Sequence, residues 1–240
     1  MEDFALLLIL LTGALFVLLE HLFPAHPLEP RLEWYVRAVL VNAVQVFVYV
    51  GVEHVWTKEL ALPTLGLGAD LPPFAGAMLA YFIFTFAIYW WHRARHGSPI
   101  LWRIFHQFHH SPRRIQALTA YYIHPLDMLV GLSISNAIMF PLLGLNSTAA
   151  AWYALITGFA GFFIHANIRV PRIIGYVYQT PEMHRLHHKS GHHANNYSDI
   201  VCWDMMFGTY CNPTSDIETC GFDGDTERDV VPLLIGKKIS

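Results

Sequence analysis

The chain has 240 residues, of which 14% are charged and 54% hydrophobic, with a formal net charge of −3. Ordinary soluble proteins carry roughly 25% charged residues, so this balance excludes a disordered chain and argues against a soluble globule, while the length fits one domain with a sizeable core. No block of Lys or Arg is present to track a phosphate backbone, which speaks against nucleic acid as a partner.

Five apolar stretches approach the roughly 20 residues that a bilayer demands of a helix. The first runs over 4–23, broken only by Glu20 and His21 near its end. Acidic Glu2 and Asp3 stand where a cleavable signal would be basic, so it reads as a retained span. The second covers 34–56, with Asn42 and Gln45 as internal polar positions. Pro63, Gly66, Gly68, Pro72 and Pro73 then break the chain into a loop. The third span, 74–91, runs directly into the first histidines, and spans 126–145 and 149–164 form an antiparallel pair around Asn146 and Ser147. The first two stretches are compatible with crossing or with a re-entrant pair. The expected class is an all-α membrane helical bundle, four to five helices embedded, with a cytosolic histidine-bearing helical cap over 92–125 and 165–210. Residues 211–240 lose apolar continuity and read as a soluble tail of the same single domain (1–240).

Five crossings with the N-terminus outside put fourteen of the fifteen Lys and Arg residues on the inner side, leaving only Lys58 outside. Trp34, Trp56, Trp90, Trp91 and Trp102 fall near span ends, as interfacial anchors do. This orientation places every histidine cluster in the cytoplasm. Cys202, Cys211 and Cys220 are odd in number and irregularly spaced, and read as reduced thiols there.

Histidine is the compositional outlier, with 15 copies, twelve of them between His92 and His193. They fall into groups: His92 and His96; His106, His109 and His110; His165 at the inner end of the fifth span; and His184, His187 and His188. On a helix, positions i, i+3 and i+4 share a face, so each triplet converges. The triplets flank a two-span hairpin that returns both to one membrane side. A tetrahedral site uses four ligands and an octahedral one six, so nine imidazoles call for two metals. Imidazole suits Fe, Zn, Cu and Ni alike. A cluster at a membrane surface, fed by long apolar helices, points to chemistry on a lipid C–H bond, hence to an oxygen-activating metal such as iron.

Other readings stand beside this one. His21, His26 and His54 are isolated and read as packed or hydrogen-bonded side chains. His124 before Pro125 is open between ligand, outer-shell donor and plain span entrance. His192 and His193 either close the site or belong to a solvated loop. Asn195, Asn196, Asp199 and Asp204 are candidates to orient ligand imidazoles by accepting their second N–H, or to cap turns. Phe82, Phe84, Phe86, Phe159, Phe162 and Phe163 either line a lipid channel or face lipid. The rival class is a non-catalytic metal-binding or metal-transport membrane protein. Transport would place its ligands near the bilayer midplane, whereas these histidines lie at or beyond the inner ends of the spans.

From about Trp91 to Tyr210, half the chain, the sequence resembles the sterol desaturase / fatty acid hydroxylase superfamily of integral membrane di-iron enzymes. The resemblance is carried by His92-Arg-Ala-Arg-His96, Leu101-Trp102-Arg103-x-Phe105-His106-x-x-His109-His110-Ser111, His124-Pro125-Leu126-Asp127, His165-Ala-Asn167, Thr180-Pro181-x-x-His184-Arg185-x-His187-His188, and Asn196-Tyr197 before Trp203-Asp204-x-x-Phe207-Gly208-Thr209-Tyr210. It implies that His92, His96, His106, His109, His110, His165, His184, His187 and His188 are the catalytic ligands of two iron ions (Fe2+/Fe3+). With O2 as co-substrate, they would hydroxylate, desaturate or oxidise a C-methyl group of a membrane lipid such as a fatty acyl, sterol or isoprenoid chain. Candidates for the outer shell or an extra ligand are His124, Asp127, Asn167, His192, His193, Asn196 and Asp204. Ser198 stands where many members have Gly, and the His192-His193 pair is additional. His124-Pro125-Leu126 is not a haem-binding His-Pro-Gly-Gly, which implies a separate electron donor, a reductase with ferredoxin or cytochrome. A multi-pass location in a bacterial inner membrane is expected in preference to the endoplasmic reticulum, with the active site facing the cytoplasm.

Overall fold

A computed structural model describes residues 2–60, 62–224 and 226–239; Asp225 and Ser240 of the expected tail lie outside it. The long elements are α1 (Glu2–Leu22), α2 (Leu32–His54, extended by a π-helical turn Val55–Glu59), α3 (Pro73–Gly97), α5 (Pro125–Ala137, extended by a π-helical turn Ile138–Leu142) and α6 (Ser147–His165). Short helices α4 (Pro99–Leu101), α7 (Pro181–His187), α8 (Cys202–Met206) and α9 (Val230–Leu234) complete the order. Among the described residues there is no strand, only isolated bridges such as Pro24 with Ile168 and Tyr178 with Ile200.

Five helices are long and apolar enough to cross a membrane. Their outward faces are apolar: on α1, Leu7, Leu10, Leu11, Leu15 and Leu18 are all exposed. In water such a surface would be a liability, and in lipid it is the expected one. α1 and α3 both pack on α6, and α2 packs on α5. The α1–α6 approach is close because Gly13 has no side chain: a Cβ there would lie 2.6 Å from Cζ of Phe162. The bundle core gathers Ala77, Ala80 and Tyr81 of α3 with Ile138, Met139, Tyr153 and Ala160.

The polar residues of the spans have assigned work. Asn42 donates to the Leu118 carbonyl (3.0 Å) and Gln45 to the Ile123 carbonyl (2.7 Å), drawing the 3-10 turn Ala117–Tyr121 and the residues after it against α2. Glu20 of α1 accepts from the backbone N–H of Ala117 (2.8 Å) and of Asn167 (3.2 Å). In low-dielectric surroundings each unsatisfied amide is costly, so Glu20 fastens two connecting segments to the end of α1.

Two expected boundaries change. α3 is a single helix through Gly97, so His92 and His96 sit on the spanning helix itself and not in a separate cap segment. Residues after 210 are no loose tail, because they carry apolar side chains that the bundle end can bury. Phe222 and Leu233 are buried with Trp34, Ala38, Phe108 and Tyr122, and Gln107 donates to the Lys237 carbonyl (2.8 Å). The three cysteines are free thiols.

Candidate metal centre

All nine histidines of the sequence pattern converge at one end of the bundle, in two groups. His92, His96, His106, His110 and His187 form one; His109, His165, His184 and His188 form the other, and within each group one nitrogen per imidazole lies within 4.8 Å of the rest. Each triplet is divided. His106 and His110 enter the first group and His109 the second, while His187 enters the first and His184 and His188 the second.

Local folding explains the division. The first triplet is not on a regular α-helix: Trp102–His106 is a π-helical turn followed by a turn, a distortion common at functional sites. The His110 N–H to His106 carbonyl bond (3.2 Å) keeps that pair one above the other with rings edge to face, and His109 is turned aside. The second triplet begins on α7, whose start is capped by the Thr180 side chain accepting from Met183 N–H (3.3 Å), with Pro181 at the first position.

Most of these imidazoles are oriented by a partner at Nδ1. The Nδ1 proton donates to a carbonyl in His92 (Tyr197, 2.9 Å), His109 (Tyr122, 3.3 Å), His165 (Gly161, 2.7 Å) and His187 (Asn195, 2.6 Å). In His106 it donates to the Asp127 carboxylate (3.3 Å). Such bonds select the tautomer whose Nε2 carries the free lone pair. The Nε2 atoms then face one another: His106 to His110 at 3.2 Å, His165 to His184 at 2.9 Å, His184 to His188 at 3.1 Å and His109 to His165 at 3.4 Å. Nε2 of His92, His96 and His187 is buried with no hydrogen-bond partner among the described residues.

Nitrogens converging at such distances, with Nε2 of His92, His96 and His187 left unpaired, are what a shared cation would satisfy. Metal–nitrogen bonds of about 2.1 Å at tetrahedral or octahedral angles give nitrogen separations of about 3.0–3.4 Å, which is what the groups present. The donor set therefore fits two transition-metal ions, one per group. Burial, reinforced by neighbouring imidazoles and, for His106 and His109, by the Arg95 cation, holds His106, His109, His110, His184 and His188 well below the usual imidazole range, and burial takes His187 down to about 3. Neutral imidazoles are the ligand form.

Asp127 is the anion of the site. It accepts from Trp91 Nε1 (3.0 Å) at one oxygen, and from Arg95 and His106 at the other. Its carboxylate thereby ties α5 to α3 and to the first triplet.

The remaining candidates are placed as follows. His193, with a left-handed backbone (φ 41), lies 3.0 Å from Nδ1 of His110 through its own Nδ1. His192 is exposed and bonds the Asn195 side chain (2.9 Å). His124 accepts from Leu126 N–H (3.1 Å) and donates to the Leu234 carbonyl (3.0 Å), so it caps α5 outside both groups. Asn167 pairs with the backbone of His26. Asn196 bridges Met183 to Cys211, and Asp204 accepts from Tyr197 N–H (2.8 Å), Ser198 N–H (3.1 Å) and the Thr209 hydroxyl (2.7 Å). Asn167, Asn196, Asp199 and Asp204 make no hydrogen bond to the nine imidazoles among the described residues. Asn196 and Asp204 hold the loop that presents the Asn195 and Tyr197 carbonyls instead. Ser198, in place of the family's frequent Gly, is buried and donates to the Thr85 carbonyl (3.0 Å). His21, His26 and His54 belong to neither group, and His26 pairs with Glu182 at 2.6 Å.

An elongated cavity of about 1270 Å³ opens onto the histidines. It reaches His92, His106, His109, His165 and His184, and continues between the helices to Ser147 and Lys58. Ser147 begins α6 and His165 ends it, so the cavity runs about 27 Å along that helix. Its wall is mainly apolar and includes Phe84 and Phe162; Phe82 and Phe86 pack on Trp203 instead, and Phe159 is exposed.

An apolar bundle of five helices long enough to span a membrane, with paired histidine groups that could hold metal ions at the mouth of a long internal cavity, is the arrangement of a multi-pass membrane protein with a candidate metal centre. Residues 77–209, more than half of the chain, match the fatty acid hydroxylase family, and the chain belongs to that family. It is 31% identical to an ornithine lipid hydroxylase of Rhizobium tropici over 162 residues, 65% of this chain and 48% of that protein. It is 25% identical to a sphingolipid C4-hydroxylase of Schizosaccharomyces pombe over 64% of this chain and 54% of the relative. Identity to a methylsterol monooxygenase of Aspergillus fumigatus is 32%, over 52% and 43% respectively. The chain spans about half the length of these curated relatives. No solved structure matches it significantly.

Proposed function

We propose that this protein is an oxidoreductase that hydroxylates a C–H bond of a membrane lipid at a pair of iron ions, using O2. The observation that carries this reading is the continuity between the two histidine groups and the lipid-sized apolar cavity. His92, His96, His106, His110 and His187 would hold one ion, and His109, His165, His184 and His188 the other. The iron pair would supply O2 activation and oxidation of the C–H bond.

The chain's own residues do the rest. The helices confine an alkyl or polycyclic chain so that one carbon rests at the histidines. The apolar wall excludes water, and Asp127, Arg95 and the carbonyls of Tyr197, Tyr122, Gly161 and Asn195 keep the imidazoles aimed. The relatives named above act on an ornithine lipid, a sphingolipid and a methylsterol, which supports a lipid substrate and makes hydroxylation the first reaction to test. Fourteen of fifteen Lys and Arg residues fall on the histidine side of the spans, supporting a site that faces the cytoplasm of a bacterial inner membrane. Electrons would come from a separate reductase with ferredoxin or cytochrome.

The test is metal analysis by mass spectrometry of protein purified from iron-supplemented cells, with lipid extracts of the same cells. About two iron ions per chain, and a lipid heavier by one oxygen that vanishes in the His109→Ala, His187→Ala double variant, are expected. One metal or none, or an unchanged lipid profile in cells holding a suitable reductase, would overturn the reading.

A further inference from the structure

Two acidic side chains of the cavity wall lie outside the metal groups and their Asp127 partner: Glu53, which accepts from Asn136 Nδ2 (3.0 Å), and Asp199. Asp199 lies in the loop between α7 and α8 and lines the cavity. Its Oδ2 accepts from the Tyr81 hydroxyl (2.9 Å), and that hydroxyl is 2.5 Å from the one of Tyr178. The Asp199 backbone is fixed as well, its carbonyl accepting from Gln179 N–H (2.7 Å). Oδ1 has no hydrogen-bond partner, and no Lys, Arg or His pairs with the carboxyl, among the described residues.

Asp199 is half-buried and lines the cavity, so Oδ1 is available to what the cavity holds. Charged groups that face Asp199 are limited to Asp204, and the neighbouring titratable groups are the phenols of Tyr81, Tyr121, Tyr153 and Tyr178. Tyr121 and Tyr153 line the same cavity, and the Tyr121 hydroxyl also lacks a partner among the described residues. A carboxyl in an apolar wall that is held rigidly by one oxygen and offers the other to the cavity is an acceptor in want of a donor. Tyr81 precedes His92 on α3 by about three turns, about 16 Å at the helical rise, and Asp199 makes no hydrogen bond to the nine histidines among the described residues.

We propose that Asp199, with the Tyr121 hydroxyl facing the same cavity, is a substrate subsite that accepts a hydrogen bond from an alcohol O–H or an amine N–H carried by the lipid. The inference rests on the reading of the cavity as the substrate's, and deepens it: the substrate is a lipid with a donor group set at a fixed distance from the oxidised carbon. An acyl chain or hydrocarbon with no donor would leave Asp199 unpaired and bind less well. Discrimination by such sites is strong because rejection leaves a buried polar group without its partner.

The test uses purified, metal-loaded protein in detergent and three radiolabelled probes of equal chain length: stearyl alcohol, stearylamine and octadecane. The wild type should bind the alcohol or the amine at least about tenfold more tightly than the alkane. Asp199→Leu should reduce that preference to within about threefold while iron content stays unchanged. Asp199→Asn keeps the shape and an acceptor oxygen: preference for the alcohol surviving in it identifies a neutral donor, and preference for the amine lost in it identifies a cationic one. A wild type without preference, or a Leu or Asn variant that keeps the full wild-type preference for both polar probes, overturns the subsite. Iron content separates the two readings: preference without iron leaves the subsite standing and removes the oxidation, and iron without preference does the reverse.

Discussion

His187 stands with His92 of α3, ring centroids 4.5 Å apart, and not with His184 and His188, its companions on and beside α7. Because each triplet serves both groups, the two sites are mechanically one unit. Removing a single ligand should therefore be felt asymmetrically. We expect His187→Ala to lower iron from about two ions per chain to about one, and His184→Ala, in the four-histidine group, to do the same with the other ion lost. Mössbauer spectra of iron-57 protein check this: the surviving signal should differ between the variants. Identical residual spectra would contradict the division.

Asp127 couples the same centre to α5. Its oxygens receive Trp91, Arg95 and His106, so Asp127→Asn keeps the volume but removes the anion that Arg95 and the His106 proton face. Loss of an outer partner of this kind typically costs 10–100-fold in metal affinity or activity. We expect a fall of about that size in apparent iron affinity, measured by chelator competition, with helix content unchanged by circular dichroism. Asp127→Ala should be worse, because it strands the buried Arg95 cation.

The additional histidine pair is divided in role. His193 meets Nδ1 of His110 at 3.0 Å, whereas His192 is solvent-facing. His193→Ala leaves the His110 ring without its orienting partner and should weaken iron binding about tenfold; His192→Ala should lie within about twofold of wild type by the same chelator titration. Equal effects would show that the pair acts through the loop's shape and not through His110.

How far the sequence revealed this arrangement is seen in particular residues. The nine histidines were legible because spacing on helices and two antiparallel spans force them to one end. Their division was not: it depends on the π-helical turn Trp102–His106, which no periodicity announces. Asp204 and Asn196 read from the sequence either as acceptors for imidazoles or as turn caps, and they brace the loop behind the imidazoles, a choice that tertiary contacts make. Asp199 was visible as an acid in that loop, but its place in the cavity wall depends on Tyr81, more than a hundred residues earlier. The segment after 210 looked solvated because its few apolar residues, Phe222 and Leu233 among them, are dispersed among Asp, Gly and Pro; burial against Trp34 and Phe108 appears only in three dimensions.

Asp199 also gives the protein a pH signature. Burial pushes its carboxyl up to about 6 from an ordinary 3.8, and Tyr81 only partly offsets this. A raised folded-state value means that the folded protein holds the proton more tightly than the unfolded chain. The associated stability is complete below about pH 3.8 and is lost as pH rises through about 6. Relative to Asp199→Asn, which carries no such proton, the wild type should lose melting temperature between about pH 4 and pH 6 and run parallel above that. Thermal unfolding of both proteins in detergent across this range is the measurement, and parallel curves throughout would show that Asp199 is not desolvated.

The segment after 210 is tied down beside the histidines by a glycine that no other residue can replace. Gly221 has φ +78, its N–H donates to the His188 carbonyl (3.1 Å), and a Cβ there would lie 2.8 Å from the Pro112 carbonyl oxygen and 3.0 Å from that of Ser111. Both contacts are backbone, so neither can rotate away. Gly221→Ala thus combines an unfavourable left-handed backbone, costing about 1–2 kcal/mol, with a clash that must push the segment from the loop after His110. For a chain of this size that corresponds to a melting temperature lower by about 4 °C or more. The displacement should also loosen His188 and His110 together, so iron should be released faster to a chelator from the alanine variant. Gly224→Ala is the control, since φ is equally positive there (+78) but no atom lies within 4 Å of an added Cβ: it should share the backbone penalty and leave iron release unchanged.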